Sequence, residues 1–356
     1  MSQGLRTDDL DYPFDERCIA AQPAEPRDSA RMMVVERDSD RVHHLQVRDI
    51  GAWLRTGDTL LVNRTRVVHA RLVLRRDRDG RPFEGLLAAP LGTGRWLLLA
   101  RGAKKLHAGE RLAMVGEDGA PTEAVTCVER TREGWVVRFD DGVDAHAAIE
   151  RAGRTPVPPY ILKARGDEAR PDAFDRERYQ TVYASDGRMH SVAAPTAGLH
   201  FTPGLLADLQ AAGVRRAEVT LEVGMGTFKP VETEWLAQHA MHRERFEVPM
   251  ETLAILRDRE RQGRRVVVGT TTVRALESLP DPLPEQVWRD EASLMIQPGY
   301  RFRHVDALMT NFHLPRSTLL ALVGAVVGLD RLKSLYALAQ REGYRFYSYG
   351  DCMLIV

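Results

Sequence analysis

The chain has 356 residues, 44% hydrophobic and 28% charged, a profile that leaves room for two globular domains and excludes a disordered or fibrous chain. Its 50 basic and 50 acidic residues give a formal net charge of zero, so bulk charge does not drive indiscriminate binding of polyanions. No apolar run reaches membrane-spanning length and Met1 to Tyr12 is polar and acidic, so a cytoplasmic protein is expected. Cys18, Cys127 and Cys352 lie far apart with no C-x-x-C pair, which predicts free thiols and neither a disulfide framework nor a zinc cluster.

A polar entry containing Pro13, Pro23 and Pro26 leads into Arg31–Val35, which reads as a strand. The Gly57-Asp58 turn precedes a second buried strand, Thr59–Val62. From residue 66 to 150 short β-prone runs alternate with turns at Asp79-Gly80, Gly92-Thr93-Gly94, Glu117-Asp118-Gly119 and Asp140-Asp141-Gly142. A spacing of roughly ten residues suggests a small antiparallel barrel or sandwich, with Trp96–Leu99 and Trp135–Phe139 its clearest strands. Residues 66–150 are therefore an inserted β domain, and residues 1–65 and 151–356 an α/β domain. The first helix lies at Val143–Arg151.

Thr155–Ile161 carries three prolines and reads as a stiff linker, 163–176 as a charged loop, and Arg178–Tyr183 as a β-prone run. Pro195-Thr196-Ala197-Gly198 forces a loop, since neither helix nor strand runs through it. Thr202 then caps a helix over 203–212, with Phe201 and Leu206 as a hydrophobic staple and Gly213 as the stop. His200 in this connection reads equally as a satisfied core histidine or a functional imidazole. Ala217–Val223 alternates as a half-buried strand and ends in Gly224-Met225-Gly226-Thr227, whose glycines let the backbone approach a ligand. Lys229-Pro230 stands where a dinucleotide fingerprint needs its third glycine, which rejects a Rossmann site.

Arg265–Val268 is a buried strand running into Gly269-Thr270-Thr271-Thr272, with a helix from Val273 capped by one of the threonines. Val305–Met309 leads into the loop 310–316, and Ser317 caps an apolar helix 318–327 stopped by Gly328. In α/β sheets ligands gather beyond the carboxyl ends of strands, so loops 194–202, 224–228, 269–272 and 310–316 should meet at one pocket. Hydroxyls and helix-start N–H groups there suit a carboxylate or phosphate, Arg274 and Arg316 could pair with it, and His200 and His313 could move protons. His239-x-x-His242, on an expected helix, lacks acidic or cysteine partners at metal-binding spacing. A serine-hydrolase elbow, a P-loop and a kinase set are absent.

The runs AAPTAGLHFT (193–202), VTLEVGMGTFKPV (219–231), VVVGTTTVRALES (266–278), TNFHLPRSTL (310–319) and YRFYSYGDCMLI (344–355) resemble the S-adenosylmethionine:tRNA ribosyltransferase-isomerases of the queuosine pathway. The opening run 10–34, PVPPYI (156–161) and DRERYQTVYA (175–184) do so too, and the likeness spans all but the β insert. The resemblance implies a barrel-like α/β catalytic domain with an inserted antiparallel β-barrel. It implies transfer and isomerisation of the ribosyl part of S-adenosylmethionine onto 7-aminomethyl-7-deazaguanine at the tRNA wobble position, with adenine and methionine leaving. S-adenosylmethionine is then a consumed co-substrate, tRNA the partner, no metal or cofactor is involved, and a monomer is expected.

The sulfonium acidifies the ribose C5′ protons, so a base must remove one and a second group must assist adenine; His200 and His313 are expected in these roles, in either order. Gly224 and Gly226, with Thr227, would let the backbone approach the nucleoside, while Thr271, Thr272 and Arg274 would hold the methionine carboxylate. Thr196, Gly198, Asn311 and Arg316 complete the expected pocket, with Gln180 and with Tyr179 as a stacking candidate. Arginine suits phosphate and base contacts, and Arg66, Arg71, Lys104 and Lys105 are the RNA-contact candidates. The segment Asn63–Leu72 departs from the family run, with Arg64 in place of an acid and His69 in place of a proline; Arg154 replaces a histidine, and Asp186–His190 is unusually long and basic. That segment motivates an alternative: a divergent member binding S-adenosylmethionine or RNA with another acceptor or no isomerase step.

Overall fold

The computed structural model describes residues 4–92, 94–100, 105–166, 170–185, 190–224, 231–258 and 263–356. They fall into two compact units, one of residues 4–66, 159–169 and 180–356, the other of residues 67–158 and 170–179.

The larger unit is built on one nine-stranded mixed sheet, in the order Trp288–Ala292, Glu244–Val248, Arg215–Leu221, Thr59–Asn63, Arg265–Val268, Ala307–Asn311, Cys352–Ile355, Arg31–Val35, Val42–Gln46. The four strands from Arg215–Leu221 to Ala307–Asn311 are mutually parallel. Cys352–Ile355 runs antiparallel to its neighbour Ala307–Asn311 and parallel to Arg31–Val35. Strands such as Arg265–Val268, with its apolar run 266–268, are buried at every residue because both faces of the sheet are covered. Leu61, Val267, Met33 and Leu308 join the core on one face, and Leu60, Val62, Val266, Val268, Met32 and Val34 the core on the other.

Helix Pro203–Ala211 begins as the sequence predicts: the Thr202 hydroxyl accepts from Leu205 N–H at 3.1 Å, and Gly213 ends it at φ +84°. Ser317 likewise accepts from Leu320 N–H at 3.2 Å and caps Thr318–Val327. Gly328, at φ +85°, both ends that helix and opens Leu329–Arg341. The expected threonine cap after Arg265–Val268 is not formed. Helix Thr270–Glu277 starts at Gly269, φ +85°, with no side-chain cap, so the threonines form its first turn.

The smaller unit holds a closed antiparallel barrel of six strands, in the order Trp135–Phe139, Arg95–Ala100, Pro82–Pro90, Arg71–Arg76, Arg111–Val115, Pro121–Arg130. Leu72, Leu74, Leu87, Leu98, Leu112, Met114, Val125 and Val137 are wholly buried, as alternation in a small filled barrel requires. Residues 151–158 and 170–179 belong to this unit: Thr155 N–H donates to Asp172 at 2.8 Å and Arg176 to Gly153 O at 2.6 Å. Where 163–176 reads as a loop, the chain forms helices Pro159–Arg165 and Asp172–Arg178, and 178–183 forms no strand. His239 and His242 do not share a helix; only the short turn Leu236–Gln238 precedes them.

Candidate active site

A cavity opens at the carboxyl ends of the parallel strands. Its wall is assembled from segments distant in sequence: Ala194–Ala197, Val223, Gly269–Thr271, Thr310–Leu314 with Ser317 and Leu319, and Tyr160 with Tyr347 and Ser348. Gly269 turns the backbone out of Arg265–Val268 at positive φ, and its N–H donates to Met309 O at 2.8 Å, locking two of these segments together. Among the described residues lining it none is formally charged. The wall offers hydroxyls, one carboxamide, one imidazole and three aromatic rings, a lining suited to an amphipathic ligand whose charge is met by dipoles and π faces.

His313 lies on this wall and is buried; its Nε2 lies 2.8 Å from the Thr310 hydroxyl. Loss of water around it pushes its pKa down to about 3. His200, at the end of the short turn Thr196–His200, does not line the cavity. It stands behind Asn311, whose Nδ2 is 3.3 Å from His200 Nε2. Burial lowers its pKa to about 4, partly offset by Asp351. Both imidazoles are therefore neutral near pH 7.

Asn311 is the hub. It accepts from the Thr196 hydroxyl at 3.2 Å and donates to Tyr347 O at 3.1 Å, so three wall segments share one buried amide. Thr271 also lines the wall, buried, with no hydrogen-bond partner for its hydroxyl among the described residues. Thr196, Thr271, Asn311 and His313 are thus brought together.

Other expected residues lie elsewhere. Thr272 turns its hydroxyl back to Val268 O at 2.5 Å. Arg274 is buried against Glu244 at 2.6 Å and donates to Ala292 O at 3.2 Å, so its guanidinium is engaged away from the cavity wall. Gly198 packs under Tyr183, where an added Cβ would stand 2.0 Å from the phenol oxygen. Gly224 donates its N–H to Glu244 at 3.1 Å, and the Gln180 carbonyl accepts from Arg27 at 2.6 Å; neither lines the wall. Arg316 pairs with Asp8 at 2.6 Å. Tyr179 is fully buried in the smaller unit. Gly226, Thr227 and Lys104 lie outside the described residues. Arg66 is half-buried, Arg71 donates to Thr155 O at 3.2 Å, and Lys105 is exposed.

Sequence reasoning passed over Tyr160, Tyr347 and Ser348, and read Ser317 only as a helix cap. Tyr347 had a signal only in three dimensions: a bulky residue at φ +70°, held by Asn311 through its carbonyl and by Phe312 O through its N–H. Tyr160 reaches Ser348 by a 2.5 Å hydroxyl contact.

A family model described as queuosine biosynthesis protein matches residues 7–355. The chain is 47% identical over 353 residues to an S-adenosylmethionine:tRNA ribosyltransferase-isomerase of Gloeobacter violaceus, covering 98% of this chain and 96% of that one. It is 44% identical over 363 residues to one of Symbiobacterium thermophilum, covering 99% and 100%. A crystal structure of S-adenosylmethionine tRNA ribosyltransferase from Thermotoga maritima is similar at TM-score 0.55 and 36% identity, over 98% of this chain and 100% of that one.

Proposed function

The chain belongs to the S-adenosylmethionine:tRNA ribosyltransferase-isomerase family of queuosine biosynthesis, and we propose that the cavity at the strand ends is where it binds S-adenosylmethionine and opens the donor ribose. It is a tRNA-modifying transferase and isomerase. The acceptor is the aminomethyl group of 7-aminomethyl-7-deazaguanine at the wobble position, and the products are epoxyqueuosine-tRNA, adenine and methionine. The observation that carries the site is the convergence of Thr196, Thr271, Asn311 and His313 on one uncharged wall.

His313 is the base. It faces the cavity and is neutral, so it can take the C5′ proton that the sulfonium acidifies; the electron pair left on C5′ breaks the C4′–O4′ bond, and the freed ring oxygen forms a carbonyl at C1′ as adenine leaves. The imidazolium so formed is the one acid generated in the cavity and can return its proton to the adenine ring. His200, behind Asn311, is a positioning residue that orients the carboxamide. Aromatic faces of Tyr160 and Tyr347 meet the sulfonium without a carboxylate that would quench its acidifying effect. S-adenosylmethionine is consumed and no metal participates, so dialysis against a chelator should leave the rate unchanged. The tRNA acceptor supports a cytoplasmic enzyme, and we assign it as a monomer that uses Arg66, Arg71, Lys104 and Lys105 on RNA. Light scattering after size exclusion tests the monomer.

Incubation with S-adenosylmethionine and tRNA bearing the aminomethyl deazaguanine should yield epoxyqueuosine on nuclease digestion, with adenine release dependent on that tRNA. Donor binding with no adenine release would sink this reading.

A further inference from the structure

We propose that Tyr12 and Tyr336 are positioning residues for the reaction, acting through His313 by holding the peptide units on either side of its Cα. This rests on the reading of His313 as the base.

His313 follows the last residue of Ala307–Asn311 in a stretch, 312–314, with no ladder or helix to satisfy its backbone. A buried polar backbone group must find a partner. Here both partners are phenols: Tyr12 donates its hydroxyl to His313 O at 2.5 Å, and His313 N–H donates to Tyr336 Oη at 3.0 Å. Tyr12 comes from the entry of the chain, 301 residues away, and Tyr336 from helix Leu329–Arg341. Their rings stand edge to face, centroids 5.2 Å apart, and Tyr336 packs edge-on against Phe312 at 5.3 Å. Burial raises both phenol pKa values, so both hydroxyls keep their protons.

Pinning both peptides removes the freedom of φ and ψ at His313, and Thr310 at Nε2 restrains the ring. The imidazole is then fixed by contacts from three separate parts of the chain. Proton abstraction from carbon requires such placement, since an error of about 1 Å in a reacting group can cost ~100-fold in rate. Neither phenol lines the cavity, so their effect must pass through His313.

The test uses full-length Tyr12→Phe, Tyr336→Phe, His313→Asn and the double variants, each assayed for epoxyqueuosine-tRNA well below its melting temperature. Phenylalanine keeps ring packing, and should Tyr336→Phe not fold, Tyr12→Phe carries the test. Expected is a fall in kcat of roughly tenfold or more for each single tyrosine variant, with KM for S-adenosylmethionine within about threefold. In the His313→Asn background the same substitutions should cost nothing further, a non-additivity that a merely structural role would not produce. If His313→Asn is impaired while both tyrosine variants keep wild-type kcat, or if their losses simply add to it, the clamp is overturned and the base assignment stands. If His313→Asn turns over normally, the base assignment fails and takes the clamp with it.

Discussion

Both imidazoles are held neutral because burial strips water from the charged form, and this has a sign that stability measurements can read. An unfolded histidine titrates near pH 6.5, whereas the folded values are about 4 for His200 and about 3 for His313. As pH falls below about 6.5 the unfolded chain gains protons that the folded chain refuses, so stability drops toward pH 4 and is fully regained above about 7. Denaturant unfolding at pH 7 and pH 5 should show this loss, and His313→Asn should flatten it; an unchanged slope would mean the imidazole is not shielded as described. Arg274 gives a second expectation. Removing one partner of a buried pair costs about 3–5 kcal/mol, so Arg274→Ala should melt much earlier than the parent because the buried Glu244 carboxylate loses its facing guanidinium. A variant that folds normally but loses S-adenosylmethionine affinity would return Arg274 to the donor carboxylate. The departures at Asn63–Leu72 are absorbed locally: Arg64 pairs with Glu218 at 3.2 Å, and His69 lies 2.8 Å from Glu150.

Three helix starts differ in how they are capped. Thr202 and Ser317 cap with hydroxyls, while Gly269 opens its helix by a positive φ that leaves Thr270 and Thr271 free to line the wall. Gly269→Ala makes only ordinary van der Waals contacts, with Ala197 Cβ at 3.7 Å and Thr271 Oγ1 at 3.8 Å, so the cost is backbone strain of about 1–3 kcal/mol. Thermal unfolding should show that loss, and donor affinity should weaken because Thr271 moves with the turn; unaltered affinity would detach Thr271 from the ligand. The caps at Thr202 and Ser317 were legible in sequence because a hydroxyl before an apolar period has one local meaning. The Gly-Thr-Thr-Thr start was misread because cap and first turn share the same residue types. Helices Pro159–Arg165 and Asp172–Arg178 were missed because they are short and rely on distant partners, such as Arg176 on Gly153 O. The pairing of Arg274 with Glu244 was not legible, because its partner is 30 residues away, beyond any local pattern. The pocket itself was legible in the loops 194–202, 269–272 and 310–316, while residues 225–228 of the fourth expected loop lie outside the described residues.

At the scale of the whole molecule, a sheet with a core on each face leaves only the strand ends for chemistry, which is why the cavity collects loops, a helix start and the last two residues of strand Ala307–Asn311. The acceptor is a polyanion and the chain carries no net charge, so RNA affinity has to come from local basic groups balanced elsewhere by acids. Many surface arginines are already paired, as Arg111 is with Asp140 at 2.6 Å and Arg95 with Glu129 at 3.3 Å. Few contacts should therefore release counterions, and the slope of log affinity against log salt should be shallow but not zero, near −0.7 to −0.9 per phosphate contacted. Lys105, exposed in the barrel unit, gives the cleanest probe, since its charge can be removed without opening a core. Lys105→Ala should lower tRNA affinity and reduce the magnitude of that slope by roughly one while leaving S-adenosylmethionine binding untouched. An affinity for tRNA that is insensitive to salt, or a slope unchanged by Lys105→Ala, would move the RNA-binding surface to other residues.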